Sequence, residues 1–258
     1  MGLTDQRVVG GDVSAVTLAA PAKLTLSLRI TGVRADGYHL IDAEMVTLDW
    51  HDTVTIDPAS SGLSADGPYA DGVPLDESNL VARALRLVGR TAAVRIHKSL
   101  PNGGGLGGGS ADAAAILRWA GYDDVQNAAA LGADVAFCLV GGHARVGGIG
   151  ELVEPLPYER VDITLVIAPL AVPTSTVYQA WDDLGGPRSD GSNDLEPAAV
   201  AAFPVLARWR DRIREATGTS PTLAGSGATW FVSGIHDLAA ALPDATVKHT
   251  VTTASGNP

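Results

Sequence analysis

The sequence predicts an α+β protein in two domains, an N-terminal α/β domain built around a glycine-rich loop and a C-terminal domain of ferredoxin-like pattern. Three observations carry this. From Ala22 the stretch A-K-L-T-L-S-L-R-I-T alternates, with Leu24, Leu26, Leu28 and Ile30 on one face and Lys23, Thr25, Ser27 and Arg29 on the other, which is a half-buried strand. Pro101 to Leu117 reads P-N-G-G-G-L-G-G-G-S-A-D-A-A-A-I-L, a glycine run fused to an alanine-rich helix. After Pro155 to Pro157 the element order restarts as β-α-β-β-α-β with one extra helix. The boundary is placed there, giving domains over 1–157 and 158–258.

Residues 1 to about 14 are polar, lack periodicity and are expected to fray. After the first strand, the turn-rich G-V-R-A-D-G leads to Tyr38-His39 and a second strand ending near Leu48; Asp52 to Asp57 is a third by its alternation. Residues 58–77, rich in Pro, Gly, Ser and Asp, read as a surface excursion. A helix starts near Asn79, with an apolar stripe of Leu80, Ala84, Leu87 and Val88 and a stop at Gly89. Ala93 to His97 is a short strand. In the helix after the glycine run, Ser110 is the expected N-cap and Asp112 a first-turn carboxylate. A short helix over Val125 to Leu131, an apolar element opened by Gly132-Ala133-Asp134, and a strand and turn over Gly141 to Glu151 complete this half. The second half is read as a strand (Asp162 to Ala168), a helix (Ser175 to Leu184) and a helical region (Glu196 to Thr217). Two short strands around Gly225-Ser226-Gly227, a helix (His236 to Leu242) and a last strand (Thr246 to Thr252) follow.

Composition narrows the class. Hydrophobic residues make up 46% and charged residues 18%, which suits a globular chain. The formal charge of −11 offers no basic surface to nucleic acid or anionic lipid, so an anionic ligand needs locally concentrated positive potential. The single cysteine, Cys138, lies in V-A-F-C-L-V and reads as a buried small hydrophobe. The start, M-G-L-T-D-Q-R, has no apolar h-region, and the longest apolar run, Ile163 to Pro173, is short for a bilayer and holds Pro169. A cytoplasmic protein without a membrane or nucleic-acid partner is expected; nothing in the residues fixes an oligomeric state.

Strand, glycine loop and helix start in that order converge bare amides and a helix dipole on one point, and a phosphate is the natural occupant. The loop is not G-x-x-x-x-G-K-[ST], because Gly109 stands where the lysine belongs. Its G-x-G-x-x-G, Gly103 to Gly108, is what any glycine run contains, and no acidic residue ends a following strand at the dinucleotide spacing. Elsewhere the residues alone leave bland readings open. Lys23 fits a snorkelling surface lysine, Asp134 an N-cap, Tyr38-His39 an amphipathic edge and Gly225-Ser226-Gly227 an ordinary hairpin.

The stretch P-N-G-G-G-L-G-G-G-S-A-D-A-A resembles the phosphate loop of the GHMP small-molecule kinases. Its doubled glycine triplet resembles the branch that phosphorylates the erythritol 2-hydroxyl of a cytidine diphosphate-linked methylerythritol in non-mevalonate isoprenoid synthesis. The resemblance runs over roughly residues 20–252 and implies the two-domain GHMP fold, ATP as phosphate donor and Mg2+ beside it. By the motifs it implies Pro101, Gly103, Gly104, Gly105, Leu106, Gly107, Gly108, Gly109 and Ser110 around the ATP phosphates, with Asn79 and Lys98 lining the nucleotide pocket. Ser110 is the one candidate metal ligand. P-A-K implies Lys23 as the active-site lysine, and G-A-D-V implies Asp134 as the carboxylate facing the accepting hydroxyl.

R-A-D-G-Y-H matches the segment in which Tyr38 stacks on the cytosine and His39 bonds its polar edge. P-T-S-T-V-Y supplies Thr174 as a substrate contact and Tyr178 as the second aromatic, while Gly225, Ser226 and Gly227 border the site from the second domain. The N-D-x-E segment from Asn193 to Glu196 is read as capping. The chain departs from the pattern at Thr25, where the family carries Asn beside the substrate, at Gly147 in place of a basic residue, and in a shorter connection between Ala115 and Gly132. A homoserine or mevalonate-type kinase of the same superfamily and a non-catalytic nucleotide-binding relative are the alternatives. Tyr38, His39 and Tyr178 favour a substrate that carries a base.

Overall fold

The computed structural model describes residues 14–255, so the polar start lies outside the described residues apart from its last position. Two long strands dominate the first half. β1 (Val16–Val33) and β2 (His39–Asp57) pair antiparallel from Val16 opposite Ile56 to Val33 opposite His39. The expected second and third strands are therefore one, because β1 pairs with β2 on both sides of the gap, Pro21 opposite His51 and Lys23 opposite Thr47, while Asp49 and Trp50 bulge between them. A register shift between Pro21 and Lys23 accommodates a proline that has no N–H for the ladder.

β3 (Gly62–Asp66) lies inside the stretch read as a surface excursion; its small, polar residues hid a strand that runs parallel to β4 (Ala93–His97). Between them runs α1 (Leu80–Leu87), capped by Asn79, whose Oδ1 accepts the N–H of Val81 at 2.8 Å. Next come α2 (Gly108–Ala120), α3 (Val125–Ala128), α4 (Val135–Val140), β5 (His143–Gly148) and β6 (Leu152–Pro155). The second half consists of β7 (Asp162–Ile167), α5 (Thr174–Asp183), α6 (Glu196–Ala202), α7 (Val205–Thr217), β8 (Thr222–Leu223), β9 (Thr229–Ser233) and β10 (Thr246–Thr253).

Two expectations in this half are corrected. The helical region over 196–217 is two helices, because Pro204 drives Phe203 out of the helical region to φ −132°, ψ 80°. No helix forms over 236–242. The segment is cut off by Pro243, too short to propagate one, and its start is drawn away by the His236 N–H bond to Thr164 Oγ1. Leu238 and Leu242 are nevertheless buried, so the turns fill the place of the second crossover helix. The strand order β10-β7-β9-β8 puts the half's first strand between its fourth and third, as the ferredoxin-like pattern demands. The same sheet continues into the first half, since Thr252 and Thr253 of β10 lie opposite Leu48 and Thr47 of β2.

The alanine-rich α2 packs closely on the sheet, with Ala111 and Ala113 to Leu117 fully buried. Cys138 is buried beneath it, and its thiol is pushed up to about 12, by burial first and by the charge of Asp134 second, which keeps it a protonated apolar filler. No helix among the described residues is long and apolar enough to cross a membrane.

The segment from Ser189 to Asp194 fastens the second half to β1. Leu28 N–H donates to Ser192 O at 2.8 Å and Asp194 N–H to Leu28 O at 2.9 Å. The buried Asp194 carboxylate accepts from Arg29 Nη1 (2.8 Å), Ile30 N (3.1 Å) and Ser189 N (3.0 Å). Asn193 accepts from Leu195 N at 2.9 Å, as a cap does, but its amide also donates to Leu223 O (2.9 Å) and Gly225 O (2.6 Å). The capping reading of this motif was thus incomplete.

Burial alone would raise the pKa of Asp194, and the donors from Ser189, Arg29 and Ile30 outweigh it, so the carboxyl lies below its ordinary value. A depressed carboxylate stabilises the fold above its unfolded pKa of about 4 and loses that contribution as pH falls through the folded value. Asp194→Ala is expected to cost about 3 kcal/mol at pH 7 in urea unfolding, by orphaning buried donors, and to flatten the acid limb of the stability curve.

Candidate active site

Lys23 and Thr25 share one face of β1 and meet the glycine loop there. The Lys23 N–H donates to Leu106 O at 3.0 Å, which fixes the loop against the strand. The Lys23 side chain is only 6% exposed, and its Nζ lies 3.3 Å from Asp134 Oδ2 and donates to Thr25 Oγ1 at 3.2 Å. Asp134 stands at the N-cap position of α4, yet its side chain makes no capping bond. Its carboxylate is turned to Lys23 instead.

The loop itself needs glycine at particular positions. Gly103, Gly105 and Gly107 have φ of 68°, 76° and 68°, in the left-handed region. A Cβ on Gly105 would sit 2.3 Å from Ala224 O, and one on Gly107 2.7 Å from Lys23 Cγ. Gly107, not Ser110, is the N-cap of α2. Because glycine adopts this turn freely, the helix begins before the hydroxyl and no side chain caps it. Among the described residues, none of the backbone N–H groups from Gly103 to Ser110 has a protein acceptor. A row of bare amides at a helix start is an anion site. Ser110 lies in the first turn, lining the same cleft.

Asp112 is one turn further in and is buried, so it does not serve the helix end as a first-turn charge. It belongs to a buried cluster under the loop. Lys98 Nζ bonds Asp112 Oδ2 at 2.7 Å and also Asp52 Oδ2, while Asp52 Oδ1 accepts Ser99 N (2.6 Å) and Leu100 N (2.7 Å). Asp112 Oδ1 has no partner among the described residues. Burial, with the charge of Asp52, pushes the Asp112 carboxyl up to about 7 against the pull of Lys98. Burial works to lower Lys98, but the two carboxylates outweigh it and its pKa is raised. Lys98 and Asn79 line a cavity of about 250 Å³ with Asp112 and Gly109, though the Lys98 ammonium itself is committed to carboxylates. Sequence reading passed over Asp52, although Asp52, Val54 and Ile56 fall in phase on the buried side of β2.

A cleft of about 390 Å³ joins the two halves. It is lined by Lys23, Thr25, His39, the loop from Pro101 to Ser110, Asp134, Thr174, Tyr178, Gly225 and Ser226. Thr174 Oγ1 and Ser226 Oγ, 2.9 Å apart, tie α5 to the 225–227 turn, and Gly227 N–H closes that turn on Ala224 O at 3.0 Å. A second cavity of about 710 Å³ shares His39, Ala133, Ile149 and Tyr178 with the first and adds Tyr38, Arg83, Gln179 and Asp182 among others. The ring against Tyr178 is that of His39, with centroids 4.7 Å apart, while Tyr38 is 59% exposed with Arg34 over its ring. His39 also meets Trp181 edge-on at 5.4 Å and bonds Asp182 Oδ1 through Nε2 at 2.8 Å. Trp181 and Asp182 were missed, although they stand three and four residues after Tyr178 on a helix. Burial first, and the charge of Asp134 second, push the Tyr178 hydroxyl up to about 12, so it stays protonated.

Residues 79–142 match the family model of the GHMP kinases N terminal domain. The 4-diphosphocytidyl-2-C-methyl-D-erythritol kinase of Paracoccus denitrificans is 40% identical over 232 residues, covering 83% of this chain and 85% of that one. The enzyme of the same name from Jannaschia sp. is 39% identical over 252 residues, covering 88% and 90%. A crystal structure of 4-(cytidine 5'-diphospho)-2C-methyl-D-erythritol kinase superposes with a TM-score of 0.74 at 31% identity, over 92% of this chain and 99% of that chain. A homoserine kinase structure from Cytophaga hutchinsonii, at 16% identity and a TM-score of 0.65 over 99% and 98%, shares the fold.

Two outcomes are expected. Gly107→Ala, strained at positive φ and driven into the Lys23 stem, weakens binding of a nucleoside triphosphate about tenfold in calorimetry. Asp112, neutral in the fold up to about pH 7 but ionised above about pH 4 when unfolded, makes the wild type lose stability as pH rises between those values. Asp112→Asn lacks this slope, so its urea midpoint relative to wild type is higher at pH 8 than at pH 5.

Proposed function

The chain belongs to the 4-diphosphocytidyl-2-C-methyl-D-erythritol kinase family of GHMP kinases, and from that premise we propose how its residues carry the reaction. It is an ATP-dependent small-molecule kinase that phosphorylates 4-diphosphocytidyl-2-C-methyl-D-erythritol in the non-mevalonate route to isoprenoids. The observation that supports our assignment of roles is the Lys23–Asp134 pair, 3.3 Å apart, in the cleft lined by the glycine loop and its bare amides.

The amides of Gly103 to Ser110 hold the ATP phosphates, with the N-terminus of α2 favouring their charge. The erythritol 2-hydroxyl lies between the γ-phosphoryl group and Asp134. As its oxygen forms the new bond to phosphorus, the bond from the γ-phosphorus to the bridging oxygen breaks, ADP departs, and the hydroxyl proton passes to Asp134 and then to solvent. Catalysis of this kind is positioning plus electrostatic stabilisation. Lys23 offsets the negative charge growing at the attacking oxygen, and Thr25 takes one of its donors and so orients it. Among the described residues no cluster of His, Cys, Asp or Glu could hold a metal alone, so Mg2+ fits here as a partner of the ATP phosphates, with the Ser110 hydroxyl as the protein's ligand. When bound it would neutralise part of the phosphate charge.

The cytidine end of the substrate occupies the second cavity, between Tyr38 and the His39–Tyr178 pair, with Thr174, Ser226 and the 225–227 turn closing the cleft from the other half. We divide the chain at 157/158 into the ATP-binding part and the part that supplies this wall.

Asp134→Asn is expected to lower kcat by about 10²- to 10⁴-fold with KM for ATP within a few-fold of wild type. Lys23→Met lowers kcat by a comparable factor. Steady-state assays of both, with the cytidine compound set beside homoserine and mevalonate phosphate, decide the matter; near-normal turnover by Asp134→Asn would sink the assignment.

A further inference from the structure

His39 is the one imidazole that lines both cavities, and it is held on three sides. Tyr178 lies tilted at 43° against its ring, Trp181 meets it edge-on, and Asp182 Oδ1 is 2.8 Å from Nε2. Its side chain is 9% exposed, and among the described residues Nδ1 has no protein partner. A carboxylate accepts and cannot donate, so Nε2 must carry a proton to make this bond. The neutral ring has a single N–H, and once that sits on Nε2 the other nitrogen is a bare acceptor. His39 lines both cavities, so this bare acceptor is open to a ligand that can supply the donor the protein does not.

We propose that Asp182 is a positioning residue that sets the base specificity of this kinase by fixing the His39 tautomer. With Nε2–H held by Asp182, Nδ1 presents an acceptor that suits the exocyclic amine of cytosine, a donor. Uracil places a carbonyl oxygen at the same position. Two acceptors then face each other, neither is satisfied, and the site rejects that base far more strongly than loss of contact area would. The inference rests on the cytidine-binding reading above, and Asp182, on α5 at the wall of the second cavity, acts in it through its bond to His39.

The test pairs kinetics with a measurement that needs no turnover. Wild type, Asp182→Ala and Asp182→Asn are assayed with the cytidine substrate and with its uridine counterpart. In Asp182→Ala the cytidine-to-uridine ratio of kcat/KM falls about tenfold or more, through a higher KM for the cytidine compound, while kcat and KM for ATP hold. The Asn variant, whose amide oxygen still accepts from Nε2–H, keeps the ratio within about threefold of wild type. In ¹⁵N spectra at pH 8, His39 of the wild type shows a protonated Nε2 and an unprotonated Nδ1, and Asp182→Ala shows a mixture of tautomers. A wild-type ring protonated on Nδ1, or an unchanged base ratio in Asp182→Ala, overturns the proposal. A wild-type protein that does not turn over the cytidine compound at all refutes the underlying functional reading instead.

Discussion

The bare amides of the glycine loop impose a constraint that shapes everything around them: among the described residues no N–H from Gly103 to Ser110 has a protein acceptor, so the loop does not hold itself in place by its own hydrogen bonds. Here the restraint comes from outside. The Lys23 N–H grips Leu106 O from β1, the carbonyl of Ala224 closes on Gly105 from the second half, and the Lys98 cluster ties both ends of the loop from beneath. Asp52 anchors Ser99 and Leu100 where the chain enters the loop, and Asp112 anchors α2 where it leaves. The positive-φ glycines are a consequence, since side chains at Gly105 and Gly107 would displace the elements that do the restraining.

The same economy governs the site's position between the halves. β1 contributes Lys23 and Thr25 at one level and, a few residues on, Leu28, Arg29 and Ile30, which hold the Ser189 to Asp194 segment. Asn193 then passes that attachment to the 225–227 turn through its amide. A single strand therefore fixes the lysine and, by two further links, the opposite wall of the cleft.

Much of this was legible in the residues. The glycine run and the element order of the second half pointed to the architecture, and the motif residues Lys23, Asp134, Thr174 and Ser226 do line one cleft, whereas the single apolar face read from Ala22 is broken by a register shift between Thr25 and Ser27 that sends Leu24 to one cluster and Leu28 and Ile30 to another. What escaped has physical causes. β3 is short and polar, and only its parallel partner makes it a strand. The 236–242 turns bury the same leucines a helix would, so local pattern could not separate the two. Ser110 resembled a cap because hydroxyls usually are caps, but glycine at positive φ starts a helix without one. Asp52 and Asp182 matter through partners distant in sequence, which no local spacing reveals.

The approach of Ala224 O to Gly105 has a meaning for how such chains can be recombined. The carbonyl occupies the space a Cβ would need, so the loop's shape is completed by the other half of the molecule. The halves are not interchangeable modules. A chimera that joined this first half to a relative's second half would inherit a correctly shaped glycine loop only if the incoming turn delivered its carbonyl to the same spot, and a family that diverges by exchanging parts is constrained to exchange loop and turn together.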